Sequence, residues 1–191
     1  MLEFQEEGHV YTYGGNVVPG VTQILEPLSG YMGVPDWQLA IAADRGSYVH
    51  KMCELYNYGT LEEYEPEYQG YLDAWVRFVS ESGFEVELCE HRVYHPKHVY
   101  AGTLDYTGYL GKKRGVLDVK ATATLMPAVG PQTSAYAEAL KASGEKVDFR
   151  MVVLLKPDGT YKAPPLTNRR DFATFTSCLN IMRWREEHGY V

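Results

Sequence analysis

From Phe84 the hydrophobic pattern leaves a helical period for a period of two, and it returns to that period in three successive segments as far as Ala121. Val86 and Leu88 alternate against Glu85, Glu87 and Cys89 up to Tyr94, which is the pattern of a strand. A turn at His95-Pro96-Lys97 leads into Tyr100–Leu110, and the polar loop GKKRG leads into Val116–Ala121. Strands joined by connections this short pair with their sequence neighbours, so an antiparallel meander is predicted.

The remaining segments surround that meander. HVYTYGGNVV reads as two extended pieces about the Gly14-Gly15 pair, a hairpin signal. PGVTQIL then opens a helical stretch, and Val34-Pro35-Asp36 marks a restart with Asp36 as the candidate N-cap;. The next helix is expected from about Trp37 to Tyr56, with Gly46 as the point where it would break;. Tyr68, Tyr71, Leu72, Trp75, Val76 and Val79 predict a further helix that ends at Ser82-Gly83;. After the meander, Pro131–Lys141 reads as a helix, Val147 to Leu155 as a strand, and Asn168 to Glu187 as a closing helix;. This order describes an α/β or α+β domain with a mixed central sheet flanked by helices. At 191 residues it is expected to form a single domain, 1–191;.

Composition narrows the classes of function. Cys53, Cys89 and Cys178 lie far apart, so neither a disulfide framework nor a zinc knuckle is expected, and free thiols in a reducing cytoplasm are. The N-terminus carries acidic residues where a signal peptide is basic and no long apolar run follows; a cytoplasmic protein with no membrane partner is predicted. The net charge of -7 weighs against a generally basic surface that grips nucleic acid;. Local stripes at Lys112, Lys113 and Arg114 or at Arg169 and Arg170 would answer that objection, and solvated loop and helix-end charge is their other reading;.

The chemistry concentrates at Asp105 and at Asp118-Val119-Lys120, on strands joined by a tight hairpin. Residues i and i+2 of a strand face one side, so Asp118 and Lys120 point together, and pairing of the strands brings Asp105 to them. Two carboxylates offer hard oxygen ligands for Mg²⁺ or Mn²⁺, one or two ions, and the Val119 backbone carbonyl could add another. A lysine beside them can hold an attacking water or neutralise charge that builds on a phosphate. Asp118 lies between Leu117 and Val119 in a strand expected to be buried, where a carboxylate needs a partner or a metal.

Gly102-Thr103-Leu104-Asp105 at this distance before Asp-x-Lys, with Gly46-Ser47-Tyr48-Val49-His50 upstream and Gln132-Thr133-Ser134-Ala135-Tyr136 downstream, resembles the RecB-like branch of the PD-(D/E)XK nucleases. That branch includes phage exonucleases of the lambda type and the mitochondrial genome maintenance exonuclease. PGVTQIL is similar to a segment near the start of its phage members, and the resemblance runs from about Pro19 to Leu155.

The resemblance implies a restriction-endonuclease-like αβββαβ core. It implies His50 as a helix-borne metal ligand, Asp105 and Asp118 as metal-binding carboxylates and Lys120 as the catalytic lysine. Gln132 and Tyr136, one helical turn apart, match a motif that orients the site or the DNA. Leu104 in place of Pro, and Asp118 in place of the commoner Glu, are both variants typical of this branch. A histidine ligand tilts the preference from Mg²⁺ toward Mn²⁺. Glu54, one turn after His50, either orients the imidazole or makes a local hydrogen bond. Glu90 either faces the site or is an exposed strand carboxylate.

The function implied is a metal-dependent DNA exonuclease acting on single-stranded or duplex ends in phage or mobile-element recombination and repair, inside a bacterial host or phage-infected cell. A ring-forming homo-oligomer or a single-strand annealing or recombination partner fits the same resemblance. The alternatives are an end-binding accessory protein that keeps the fold without cutting, and an endonuclease of the same superfamily. Three scattered cysteines exclude the four-cysteine iron–sulfur cluster of related helicase-linked nucleases;. Of sixteen tyrosines, Tyr48, Tyr100, Tyr106 and Tyr109 lie near the motifs as candidate nucleic-acid contacts;.

Overall fold

A computed structural model describes residues 1–29 and 33–190. Among the described residues the period-two segments form β4 (Phe84–His95), β5 (Tyr100–Leu110) and β6 (Lys113–Lys120), paired as an antiparallel meander. Helix α4 (Val129–Ala142) then carries the chain to β7 (Phe149–Leu155), which lies parallel to β6, and β8 (Tyr161–Lys162) completes a mixed sheet of five strands. Upstream lie α2 (Asp36–Asn57) and α3 (Gln69–Ser82), and α5 (Asp171–Glu187) closes the chain. A smaller antiparallel sheet, β1 (Leu2–Gln5), β2 (Val10–Tyr13) and β3 (Asn16–Val18), precedes the short helix α1 (Val21–Ile24). No described helix is long and apolar enough to cross a membrane.

The expected mixed sheet flanked by helices is therefore what forms, and the run α3–β4–β5–β6–α4–β7 has the αβββαβ order. Helices cover both faces. On one face Trp75 and Phe78 of α3 and Val49 and Met52 of α2 pack on Tyr106, Leu117, Val119, Val153 and Leu155. On the other, Val21 and Ile24, Tyr136 and Leu140 of α4, and Phe175 and Leu179 of α5 pack on Leu104 and Val116. A sheet buried twice over explains why β6 and β7 read as nearly continuous apolar runs.

Some local expectations change. Helix α2 runs through Gly46 unbroken, because a single glycine costs only about 1 kcal/mol relative to alanine and cannot end a helix held by packing. Pro35 takes the N-cap position without a side-chain bond, and Asp36 is the first helical residue, where its charge still favours the helix dipole. The GKKRG loop is shorter than expected, since Lys113 pairs with Leu110 and Arg114 with Tyr109. Strands β1 and β8 are additions that the pattern did not reveal.

The N-terminal sheet turns at Gly14 and Gly15, both at positive φ (58° and 83°), a backbone that glycine adopts without strain. It is joined to the main sheet where the Ala101 N–H donates to the Pro19 carbonyl at 3.0 Å, and by the stacking of Tyr13 on Tyr94 at 3.8 Å.

Candidate active site

Strand β5 is irregular at the point where the chemistry lies. Leu104 and Tyr106 are two residues apart and should share a face, yet Leu104 enters the α4 and α5 core and Tyr106 the α2 and α3 core. Across the ladder, Cys89 pairs with Tyr106 and His91 with Leu104, leaving Glu90 opposite Asp105 with its backbone at φ 48°. A side-chain-bearing residue in that region is uncommon and marks a local distortion. On the other edge of β5 the pairing with β6 stops at Tyr106 and Leu117. The Asp105 carboxylate occupies the break: its Oδ2 accepts a hydrogen bond from the Val119 N–H at 2.7 Å.

Helix α2 supplies His50. Its Nε2 lies 2.7 Å from the Val119 carbonyl oxygen. A carbonyl only accepts, so Nε2 carries the proton, and in the neutral ring Nδ1 presents a lone pair. Nδ1 stands 3.6 Å from Asp105 Oδ1, too far for a hydrogen bond. One ligand atom from each of His50, Glu90 and Asp105 falls within 4.8 Å of the others. An imidazole lone pair and two carboxylates facing one space form a donor set suited to a divalent cation, and the histidine favours Mn²⁺ over Mg²⁺.

Asp118 and Lys120 point to one side of β6, as the spacing requires. Lys120 Nζ lies 2.9 Å from Asp118 Oδ1 and 2.8 Å from Oδ2. Asp118 is only 1% exposed. Its Oδ2 is within ion-pair range of the lysine but accepts no well-directed hydrogen bond among the described residues. Burial pushes this carboxyl up to about 6, with Lys120 pulling it down and Asp105 pushing it up. Glu90 is pushed up to about 7, first by desolvation of its carboxylate and then by the charge of Asp105. Carboxyls displaced in this way by burial and like charge are a mark of functional sites.

A cleft of 870 Å³ opens over the group, and His50, Glu54, Glu90, Asp105 and Lys120 line it together with Gln132 and Tyr136. Gln132 Nε2 donates to the Tyr136 hydroxyl oxygen at 3.2 Å. Burial, opposed by that hydrogen bond and reinforced by Asp105 and Asp118, raises the Tyr136 phenol well above its ordinary range. Gly102 makes room for this ring: a Cβ there would sit 2.7 Å from Tyr136 Cε1. Asp118 lies behind Lys120 and does not line the cleft.

The structure thus brings His50, Asp105, Lys120, Gln132 and Tyr136 into one cleft and leaves Asp118 outside both its lining and the converging set. Glu90 belongs to the converging set. Glu54 Oε2 accepts from Lys51 Nζ at 2.7 Å, a local bond, and among the described residues no hydrogen bond joins it to His50, whose Nε2 is taken by the Val119 carbonyl. The Val119 carbonyl already accepts from His50, leaving one lone pair for a cation. The stripe expected at Lys112, Lys113 and Arg114 is also corrected, because the Arg114 guanidinium is 11% exposed and held at 2.6 Å by both Glu87 and Glu145. Tyr100 and Tyr106 are buried in the cores, and neither Tyr48 nor Tyr109 lines the cleft.

The far wall of the cleft was missed. It consists of Phe4, Glu6, His9 and Tyr11 of the N-terminal sheet, with Arg92 and Thr103 beside them. Thr103 is two residues before Asp105 and Arg92 two after Glu90, a spacing that could have suggested those two. Nothing in the sequence ties the N-terminal hairpin to the site.

No protein-family model matches the chain, and no curated protein matches it. Among solved structures, the fold is similar to an alkaline exonuclease (LHK-Exo) from Laribacter hongkongensis, at 14% identity and a TM-score of 0.43 over 89% of this chain and 88% of that one. It is also similar to LHK-Exo in complex with dAMP, at 13% identity and a TM-score of 0.39 over 91% and 94% of the two chains.

Proposed function

We propose that this chain is a metal-dependent nuclease of the PD-(D/E)XK superfamily, RecB-like branch, and that it degrades DNA from its ends. The observation that carries this reading is the convergence of His50, Glu90 and Asp105 within 4.8 Å, beside a buried Asp118–Lys120 pair on an αβββαβ core. Structural ion pairs explain Asp118 and Lys120 alone. They do not by themselves account for an imidazole and two carboxylates converging on one space, an arrangement that a bound cation would stabilise.

Mg²⁺ or Mn²⁺ would be held by His50, Glu90 and Asp105, with Asp118 and the Val119 carbonyl as the further donors that the motif implies. Such an ion polarises a phosphate and lowers the pKa of water. Lys120 Nζ, fixed by Asp118, is placed to donate to the attacking water or to the phosphate oxygen on which charge accumulates. Asp105 accepts from the Val119 N–H and His50 is bonded to the Val119 carbonyl, so both side chains are referenced to the one residue between Asp118 and Lys120. Tyr136 and Gln132 hold the wall against which the strand lies.

The substrate proposed is DNA with a free end, in phage or mobile-element recombination or repair in a bacterial cytoplasm. A closed circular duplex and linear DNA of the same sequence, incubated with Mn²⁺ or Mg²⁺, separate the options. Stepwise loss of the linear form alone is expected; cutting of the circle makes the protein an endonuclease, and binding without cleavage makes it the silent accessory protein.

A further inference from the structure

We propose that His9 is a base-stacking residue, which holds one unpaired nucleobase of the strand whose phosphate lies at His50, Glu90 and Asp105. The inference rests on the nuclease reading above and adds to it a substrate requirement, an unpaired base next to the cut.

The cleft volume of 870 Å³ lies in the range of about 300–1,000 Å³ that encloses a whole small ligand. On the nuclease reading, a cation and a phosphate would take only the wall of His50, Glu90 and Asp105. On the other, Phe4 is packed by Tyr11 at 4.7 Å, by His9 in a T-shaped contact at 4.8 Å and by the Arg92 guanidinium at 5.1 Å. Phe4 is therefore used up within the protein, and Tyr11 is 2% exposed. His9 meets Phe4 and Tyr11 only in edge-on contacts, at 4.8 and 5.4 Å, and it is exposed and lines the cleft, so it is the most accessible ring of this cluster for a ligand.

Its position is built. The turn after β1 brings the His9 N–H to the Glu6 carbonyl at 3.0 Å, with Gly8 and His9 both left-handed at φ 77° and 52°. That backbone is uncommon for a residue with a side chain. The imidazole Nε2 is 3.3 Å from the Tyr11 hydroxyl, which lies 2.9 Å from Thr103 Oγ1. Thr103 stands on β5 two residues before Asp105. The ring is thereby referenced to the strand that carries the metal-binding carboxylate.

The chemistry favours a base over a phosphate at this wall. Glu6 and Arg92 both line the cleft here and the Arg92 guanidinium lies over the Phe4 ring at 5.1 Å, so the wall carries no excess of positive charge for a phosphodiester. A flat imidazole stacks on any base irrespective of sequence. Stacking also needs no excess of positive charge, which accounts for nucleic-acid binding by a chain with a net charge of -7.

The test uses end-labelled single-stranded oligonucleotides carrying one abasic residue at successive positions, cleaved by wild type and by His9→Asn in Mn²⁺. Asparagine tolerates the left-handed backbone but has no ring. For wild type, an abasic residue at one position next to the cut should lower kcat/KM on the order of tenfold. His9→Asn should lose a similar factor on intact DNA and lose nothing more at that position. Indifference of wild type to every abasic position overturns the inference while leaving the nuclease reading intact, and that arm needs no variant to fold. Losses from the variant and the abasic residue that simply multiply also overturn it. No cleavage of intact DNA with either metal overturns the parent reading and this inference together.

Discussion

His50 Nε2 lies 2.7 Å from the carbonyl oxygen of Val119, the residue between Asp118 and Lys120, so a helix and a strand that are distant in sequence are fastened at the centre of the site. The bond decides which nitrogen faces the carboxylates. His50→Ala is accordingly expected to weaken Mn²⁺ binding by at least tenfold while the fold survives, measured by calorimetric titration. His50→Gln, which keeps a donor for Val119 but has no imidazole nitrogen, should bind as weakly as alanine; wild-type affinity in that variant contradicts the ligand role.

Removing Lys120 leaves Asp118 buried without its cation. Lys120→Ala is expected to lower stability by about 2–4 kcal/mol, somewhat less than the roughly 3–5 kcal/mol of a fully buried broken pair, because the lysine is partly exposed and the acid can take up a proton. Cleavage should fall at least a hundredfold. Adding Asp118→Asn should restore much of the stability and none of the activity, read by denaturant unfolding beside a cleavage assay.

The displaced carboxyls give a pH signature. Asp118 at about 6 and Glu90 at about 7 both lie above their ordinary values. For an acid whose folded pKa is raised, the folded state binds the extra proton. Its contribution to stability is present below the unfolded value and is lost as pH rises through the folded one. In a chelator, Tm should therefore fall through these groups between about pH 4 and 7. Metal binding removes the same protons, so Mn²⁺ affinity should rise over that window. A stabilisation by Mn²⁺ that is the same at pH 5 and pH 7.5 contradicts the assignment.

Arg114 separates fold from binding. Because its guanidinium joins Glu87 to Glu145 and donates to the Lys146 carbonyl, Arg114→Ala should cost about 1–3 kcal/mol without changing the salt dependence of DNA binding. A reduced salt slope would show that it touches phosphate.

The distribution of what the sequence reveals follows from the range of each interaction. Strand alternation and the Ser82-Gly83 stop are local, and β4 to β7 appear within a few residues of their expected bounds. Asp118 and Lys120 share a face by spacing alone. Glu90 could not be placed, because regular alternation says nothing of the distortion at φ 48° that sets it across from Asp105. The pairing of Arg114 with Glu87 and Glu145 joins residues about thirty positions apart, so a buried arginine reads in sequence as a basic loop. Phe4, His9 and Tyr11 reach the cleft only through the docking of the N-terminal sheet on β5, which no periodicity encodes.

The central claim, that His50, Glu90 and Asp105 form a metal-dependent cutting site, is tested most directly by Mn²⁺-dependent cleavage of end-labelled linear DNA. Wild type should cut, while Asp105→Asn and Glu90→Gln, folded by circular dichroism, should each lose at least a hundredfold. Cleavage by both variants at the wild-type rate, or by wild type with the metal chelated, would contradict it.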